Sequence, residues 1–430
     1  MRRRYLLRSL LVPALALTLV APAPGPPASG QAERPDVLVV LLDDLRSDEL
    51  APLSFLRDGS WTRFTDAAVE VPMCCPSRAS LLTGRYASDV GVRSNSEGAH
   101  LDDRRTLATA VRAAGYRTGL AGKYLNGFPW TRPDTYVPPG WDHWRAFGSA
   151  AEREESRGQY SADYLATTTK RFLDATPART PFFFYLSFGQ PHLPATPAAR
   201  HETAPVALAP WPPNFDEADV SDKPPPIRRL PLADDATIAR WTAERTAKAR
   251  SLLAVDEGVR SVLDHLRRSG RLDRTVVVVA SDNGYGFGSH RVESKAFPYE
   301  ELVTVPFFVR WPARPGGTIT QQVSLLDVAP TVASLAGTSV PQARGLDLGP
   351  LLRDPTVRLP RTWVFLEGPR REDPWQAVRS EGLKYVEYDG GARELYDLRA
   401  DPYELRNVVG DPAYATRLQR AAAALAALRP

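Results

Sequence analysis

The chain has 430 residues, too many for one ordinary domain and enough to bury a large core. Its composition, 43% hydrophobic and 24% charged, is that of a soluble globular protein, and its 40 prolines, clustered at 22–27 and 224–226, point to long ordered loops rather than a disordered chain. The formal net charge of +4 comes from four Arg among residues 1–32, which hold no acid; beyond them the balance is 0, so charge argues for no nucleic-acid partner.

Residues 1–32 read as a secretory signal: Arg2, Arg3, Arg4 and Arg8, an apolar stretch over 10–20, then small residues. The stretch is too short to span a bilayer comfortably, and no later segment is long and apolar enough. The expectation is a secreted or extracytoplasmic protein with no membrane span after processing; a retained anchor is the alternative.

Beyond the signal, an apolar run over 37–42 ends abruptly at Asp43-Asp44, as a strand buried on both faces would. The segment 71–84 follows, with the chain's two cysteines, Cys74 and Cys75, side by side. Adjacent cysteines rarely bridge each other, so the pair is not a staple. Pro76 suits the first turn of a helix and Gly84 its end, which places Cys74 just before a helix N-terminus. Free N–H groups and the helix dipole favour an anion there, and Arg78 adds a fixed positive charge.

Thr106 caps a predicted helix reaching Ala114, with Gly115 closing it. A short strand over 118–121 ends at Gly122-Lys123. Ser161 caps a helix reaching Leu173, and the aromatic run 182–188 ends at Gly189-Gln190-Pro191-His192. The Pro-rich stretch 194–236 reads as a surface loop system shaping a cleft. Apolar residues at helical spacing over 237–268 precede a valine strand, 275–280, which ends at Asp282-Asn283-Gly284.

Strands alternating with helices predict a largely parallel α/β sheet. From about residue 345 the pattern changes to short strands at 362–366, 375–379, 383–388 and 394–398 and a closing helix at 413–428, a small antiparallel sheet with one helix. The expected organisation is therefore a signal at 1–32, a catalytic α/β domain at 33–345 and a small α+β subdomain at 346–430.

In an open α/β sheet, sites form at the carboxyl ends of strands. Asp43, Asp44, Lys123, His192, Asp282 and Asn283 all fall there. Singly each has an ordinary structural role: acids start turns, lysines face water, and a His can be satisfied in a core. Together, three carboxylates and an amide suit a hard cation such as Ca²⁺ or Mg²⁺ better than zinc.

Cys74, Pro76, Ser77, Arg78, Thr83 and Gly84 match Cys-x-Pro-Ser-Arg followed by Thr-Gly, and in this the chain resembles the sulfatases of the alkaline phosphatase superfamily. The register selects Cys74 over Cys75. The resemblance continues through Lys295 and the Glu394-Leu395-Tyr396-Asp397-Leu398 segment. It implies a large, mostly parallel mixed sheet flanked by helices, with a smaller C-terminal antiparallel sheet and helix.

It also implies oxidation of Cys74 to formylglycine by a formylglycine-generating enzyme, a Ca²⁺ or Mg²⁺ ion held by Asp43, Asp44, Cys74, Asp282 and Asn283, and hydrolysis of a sulfated sugar or aryl sulfate. Arg78, Lys123, His192 and Lys295 carry catalytic roles in that reading, and Lys123, His192, Lys295 and His290 contact substrate.

Segments such as Gly122-Lys123-Tyr124-Leu125-Asn126 and Val220-Ser221-Asp222-Lys223-Pro224 are similar to those of N-acetylglucosamine-6-sulfatases and extracellular heparan 6-O-endosulfatases. That group carries Tyr-His where this chain has Tyr285-Gly286, which leaves the 6-sulfate assignment and the leaving-group acid open, with His290 expected to fill part of the role. A phosphoesterase or phosphonate hydrolase on the same fold, and a non-catalytic sulfated-glycan binder, are the competing readings.

Overall fold

The computed structural model describes residues 34–430 apart from 134, 148–157, 313 and 370–372; the expected signal, 1–32, lies outside the described residues. In chain order the strands are β1 (Asp36–Leu42), β2 (Trp61–Phe64), β3 (Ala67–Ala68), β4 (Arg117–Lys123), β5 (His143–Phe147), β6 (Phe182–Ser187), β7 (Thr275–Ser281), β8 (Phe307–Arg310), β9 (Gly317–Ile319), β10 (Val323–Ser324), β11 (Val364–Glu367), β12 (Trp375–Arg379), β13 (Lys384–Tyr388) and β14 (Arg393–Tyr396).

Among the described residues, eight strands form one sheet in the order β5-β4-β6-β1-β7-β8-β2-β9. The five from β5 to β7 are parallel; β8 runs antiparallel to both β7 and β2, and β9 is parallel to β2. The central strands β1, β6 and β7 are buried throughout, as continuous apolar runs require.

Their side chains alternate between two cores. Val37, Val39 and Leu41 pack on one face with the helices Cys74–Thr83, Leu107–Ala113 and Val328–Leu335. Leu38, Val40 and Leu42 pack on the other with Ser161–Asp174 and the 34-residue helix Asp235–Arg268.

The C-terminal strands form a separate antiparallel sheet, β11-β12-β13-β14. Phe365, Val378, Tyr385 and Leu395 on one face meet Ala421 and Leu425 of the helix Ala415–Leu428. The other face, with Leu366, Ala377 and Val386, packs on Ala68 and Val303. Among the described residues no helix is long and apolar enough to cross a membrane.

Three local expectations shift. Ser161 is the first residue of its helix, with Tyr160 as the cap. Cys74 lies inside the first helical turn, with Met73 as the cap. The last strand stops at Tyr396 because Asp397 begins a turn, its backbone carbonyl accepting from Ala400 and Asp401.

Candidate active site

The parallel strands deliver their polar ends to one place. β1 hands Asp43 and Asp44 to the sheet edge, β4 Lys123, β6 the loop to His192, and β7 Asp282 and Asn283. Backbone hydrogen bonds tie these ends together: the Asp43 N–H donates to Gln190 O at 3.0 Å and the Asp282 N–H to Leu42 O at 3.1 Å. Lys123 reaches the cluster because Gly122 (φ +107°) lets β4 turn against β6; a Cβ at 122 would lie 1.7 Å from Ser187 O.

Cys74 Sγ lies 3.4 Å from Asp43 Oδ1, 3.7 Å from Asp44 Oδ1 and 2.7 Å from Lys295 Nζ. Lys295 also donates to Asp44 Oδ1, and Lys123 donates to Asp43 Oδ2 at 2.5 Å. Arg78, fully buried one turn along the helix, donates to Asp282 Oδ2 at 2.7 Å, Ser187 Oγ at 2.6 Å and Lys123 O at 2.9 Å. His192 Nε2 stands 3.6 Å from Asp44 Oδ2, and its side chain is 37% exposed, so the cluster opens to solvent on that side.

Burial raises the Cys74 thiol well above its usual range, against the pull of Lys123 and Lys295. A thiol so held stays protonated and is a weak nucleophile. Burial would also raise Asp43, but Lys123, Arg78, His192 and Lys295 outweigh it and hold the carboxyl well below normal. Asp44 is lowered in the same way, with Lys295 as its strongest cationic neighbour. Asp282 goes up, through burial and the nearby Asp43 charge, despite Arg78.

The residues fit a hard cation. Asp44 Oδ2 and Asn283 Oδ1 are buried and have no hydrogen-bond partner, an arrangement that costs free energy unless another group satisfies them. Ligating atoms of Asp43, Asp44, Cys74 and His192 lie within 4.8 Å of one another. The three carboxylates face three cations, Arg78, Lys123 and Lys295, so the cluster alone is close to neutral. A divalent ion would make it net positive, as an anionic ester requires.

Sequence reasoning missed the residues that set this geometry. Asp44 adopts φ +64°, the left-handed region, which few non-glycine residues enter and which recurs at functional sites. It is held there by Lys248, whose Nζ donates to Asp44 O at 2.8 Å, and by its own N–H donating to Asp282 Oδ1 at 3.1 Å. Asn95 accepts the Cys75 N–H at 3.0 Å, satisfying one donor of the helix N-terminus. Lys248 reads in sequence as one more polar residue of a long helix; only its place among Leu252 and Val255 on the buried side hints otherwise.

His290 is not brought to the cluster. It is fully buried, with Nδ1 2.6 Å from Glu217 Oε2, Nε2 2.9 Å from Asn214 Nδ2 and its ring stacked on Tyr299 at 4.0 Å. With both nitrogens engaged and no exposed surface, it stands apart from the residues expected beside it at the cluster. Gly286 likewise has a structural reason: a Cβ there would lie 2.1 Å from Val292 O, so no side chain fits at this position. His143 sits elsewhere, packed against Phe172 and Phe184, where burial lowers its pKa to about 4.

Residues 35–338 match the family model described as Sulfatase, and 288–429 match that described as N-sulphoglucosamine sulphohydrolase, C-terminal. The extracellular sulfatase SULF-1 homolog of Drosophila melanogaster is 31% identical over 399 residues, or 84% of this chain, while the chain spans only 35% of that relative's length. N-acetylglucosamine-6-sulfatase of Capra hircus is 29% identical, covering 89% of this chain and 81% of its own. A solved structure of a protein in complex with its substrate D-glucosamine-2-N,6-O-disulfate superposes with a TM-score of 0.78 at 22% identity, over 92% of this chain and 97% of the other, a likeness of fold. The family match runs through the strand ends that carry every residue of the cluster, and the chain belongs to the sulfatase family.

Proposed function

We propose that this protein hydrolyses the sulfate ester of a sulfated sugar, of the N-acetylglucosamine-6-sulfate kind, or of an aryl sulfate, using formylglycine made from Cys74 and a bound Ca²⁺ or Mg²⁺ ion. One observation carries the reading: Cys74 lies at a helix N-terminus between Asp43, Asp44 and Lys295, beside unbonded acceptor oxygens of Asp44 and Asn283. The Cys74 sulfur stands where the oxygens of the modified side chain would lie.

Asp43, Asp44, Asp282 and Asn283 would hold the cation, which when bound would polarise a sulfate oxygen and acidify the neighbouring hydroxyl of the modified residue. Arg78 fixes Asp282 and the helix that carries residue 74, through a planar fork that a lysine could not replace. Lys123 and Lys295 supply positive charge where the sulfate oxygens gain charge in the transition state.

His192 is the member of the cluster most open to solvent, which supports a role in protonating the departing alcohol oxygen. The similarity to extracellular and glucosamine sulfatases supports secretion and a glycan substrate, and a formylglycine-generating enzyme would be a transient partner.

Mass spectrometry of the tryptic peptide 64–78 from the native host tests the modification. Turnover of nitrophenyl sulfate against nitrophenyl phosphate, before and after EDTA and with Ca²⁺ restored, tests the reaction. An unmodified thiol at 74, or faster turnover of the phosphate, would overturn the proposal.

A further inference from the structure

Away from the Cys74 cluster, a groove of about 750 Å³ runs between the C-terminal sheet, its closing helix and the loop before β11, a size within the ~300–1,000 Å³ range of small-ligand pockets. Its charges do not balance. Arg361 is tied to Asp327 by two bonds of 2.5 and 2.6 Å, and Arg417 to Asp397. Arg399 and Arg420 also line the groove, are exposed, and have no acidic partner among the described residues, against one acid, Glu381. Gln322 lines the same groove, is 5% exposed, and has neither its amide nitrogen nor its oxygen hydrogen-bonded. Its neighbour Gln321 is fully used, donating to Val357 O at 2.7 Å and accepting from Leu359 N at 2.9 Å.

A buried amide left without partners is costly unless another group satisfies it. An amide offers both a donor and an acceptor, the pair that a sugar hydroxyl or acetamido group complements. Two free guanidinium groups suit a carboxylate or sulfate, which they can bind through paired N–H donors. The ring of Trp363, at the same groove, adds an aromatic surface for a sugar face.

We infer that this groove is a second binding site, for an acidic sugar unit of a sulfated or uronate-bearing oligosaccharide, separate from the cluster that would cleave the ester. Choosing an oligosaccharide as the occupant rests on the function proposed above. The groove would hold a glycan chain on the enzyme while its sulfated units reach the Cys74 cluster, in this or a neighbouring molecule.

The test uses the full chain and a heparin tetrasaccharide, with binding read by calorimetry and turnover of nitrophenyl sulfate measured in parallel. Wild type should bind two tetrasaccharides per chain. Arg399→Glu with Arg420→Glu should bind one, the lost component weakening at least about tenfold, the effect of one charged hydrogen bond, while kcat/KM on nitrophenyl sulfate is unchanged. Gln322→Ala should weaken the same component, which separates recognition of a sugar from attraction to charge alone.

Two bound tetrasaccharides in the double variant would overturn the site. So would equal affinity of the groove for a single-stranded DNA of the same charge, because the groove would then read charge and not sugar. Failure of nitrophenyl sulfate turnover in wild type would instead count against the proposed reaction and leave the binding result to stand on its own.

Discussion

Replacing Lys248 with Met would test how Asp44, a proposed ligand in a left-handed conformation, is kept in place. The substitution keeps the length and the apolar stem of a residue that is 1% exposed, and removes its charged donor. Lys248 Nζ donates to Asp44 O at 2.8 Å, pairs with Glu49 Oε2 at 3.1 Å and lies 4.8 Å from the Phe287 ring.

A buried hydrogen bond from a charged group is worth about 1.5–3 kcal/mol and a buried acid left without its partner costs a further ~1–3 kcal/mol, partly offset by about 1–2 kcal/mol if Asp44 relaxes from its left-handed conformation. Among the described residues Glu49 then keeps only Arg245, at 3.8 Å. The variant should therefore lose about 2–4 kcal/mol of stability, in line with other broken buried polar contacts.

If Asp44 holds Ca²⁺ as proposed, the variant should also lose much of the stability gained on adding Ca²⁺, because Asp44 no longer presents its carboxylate at a fixed angle. Loss of an outer-shell partner typically costs about 10–100-fold in metal affinity or activity. Urea unfolding with EDTA and with saturating Ca²⁺ reads both effects, and Lys248→Arg should recover most of each. If Lys248→Met loses stability but keeps the whole Ca²⁺-dependent gain and full turnover, the residue only fills space and the argument fails.

Cys74→Ala should abolish turnover of nitrophenyl sulfate, while Cys75→Ala keeps most of it; the reverse pattern would move the nucleophile. His192→Ala should cost about 10²–10⁴ on an alkyl or sugar sulfate, whose departing oxygen needs a proton, and far less on nitrophenyl sulfate. Lys123→Ala should hurt both substrates alike, as kcat/KM for the four combinations will show. Glu70 is fully buried, and burial, with Asp327 nearby, raises its pKa to about 8.

Its folded pKa lies above the unfolded 4.5, so the stability it lends is complete below pH 4.5 and is lost as pH rises towards 8. Glu70→Gln should remove that decline, worth of the order of 4 kcal/mol across the window. Denaturant midpoints at pH 5 and pH 8 that fall as far in the variant as in wild type would refute the assignment.

The parts of this molecule that could be read from sequence are those where one physical demand dominates. β1, β6 and β7 are buried on both faces, so their apolar runs and abrupt polar ends stand out, and the polar ends form the candidate site. The C-terminal strands show for a related reason: β11, β12 and β13 each bury alternate residues on two cores. β5 did not show, because it lies at the sheet's edge with most of its residues only partly buried. β3, β9 and β10 have two or three residues each, too few for any period.

Side chains that act through the backbone are harder still. Lys248 on a helix, facing inwards to one carbonyl, has the same letter and spacing as a solvated lysine, and His290 has the letter of a catalytic residue in a closed hydrogen-bonded network. What separates them is the direction each side chain points, and that is set by residues distant in sequence: Asp44, 204 positions from Lys248, and Glu217, 73 from His290. A motif therefore reveals the groups that do chemistry, whereas the groups that aim them become visible only when the chain is folded.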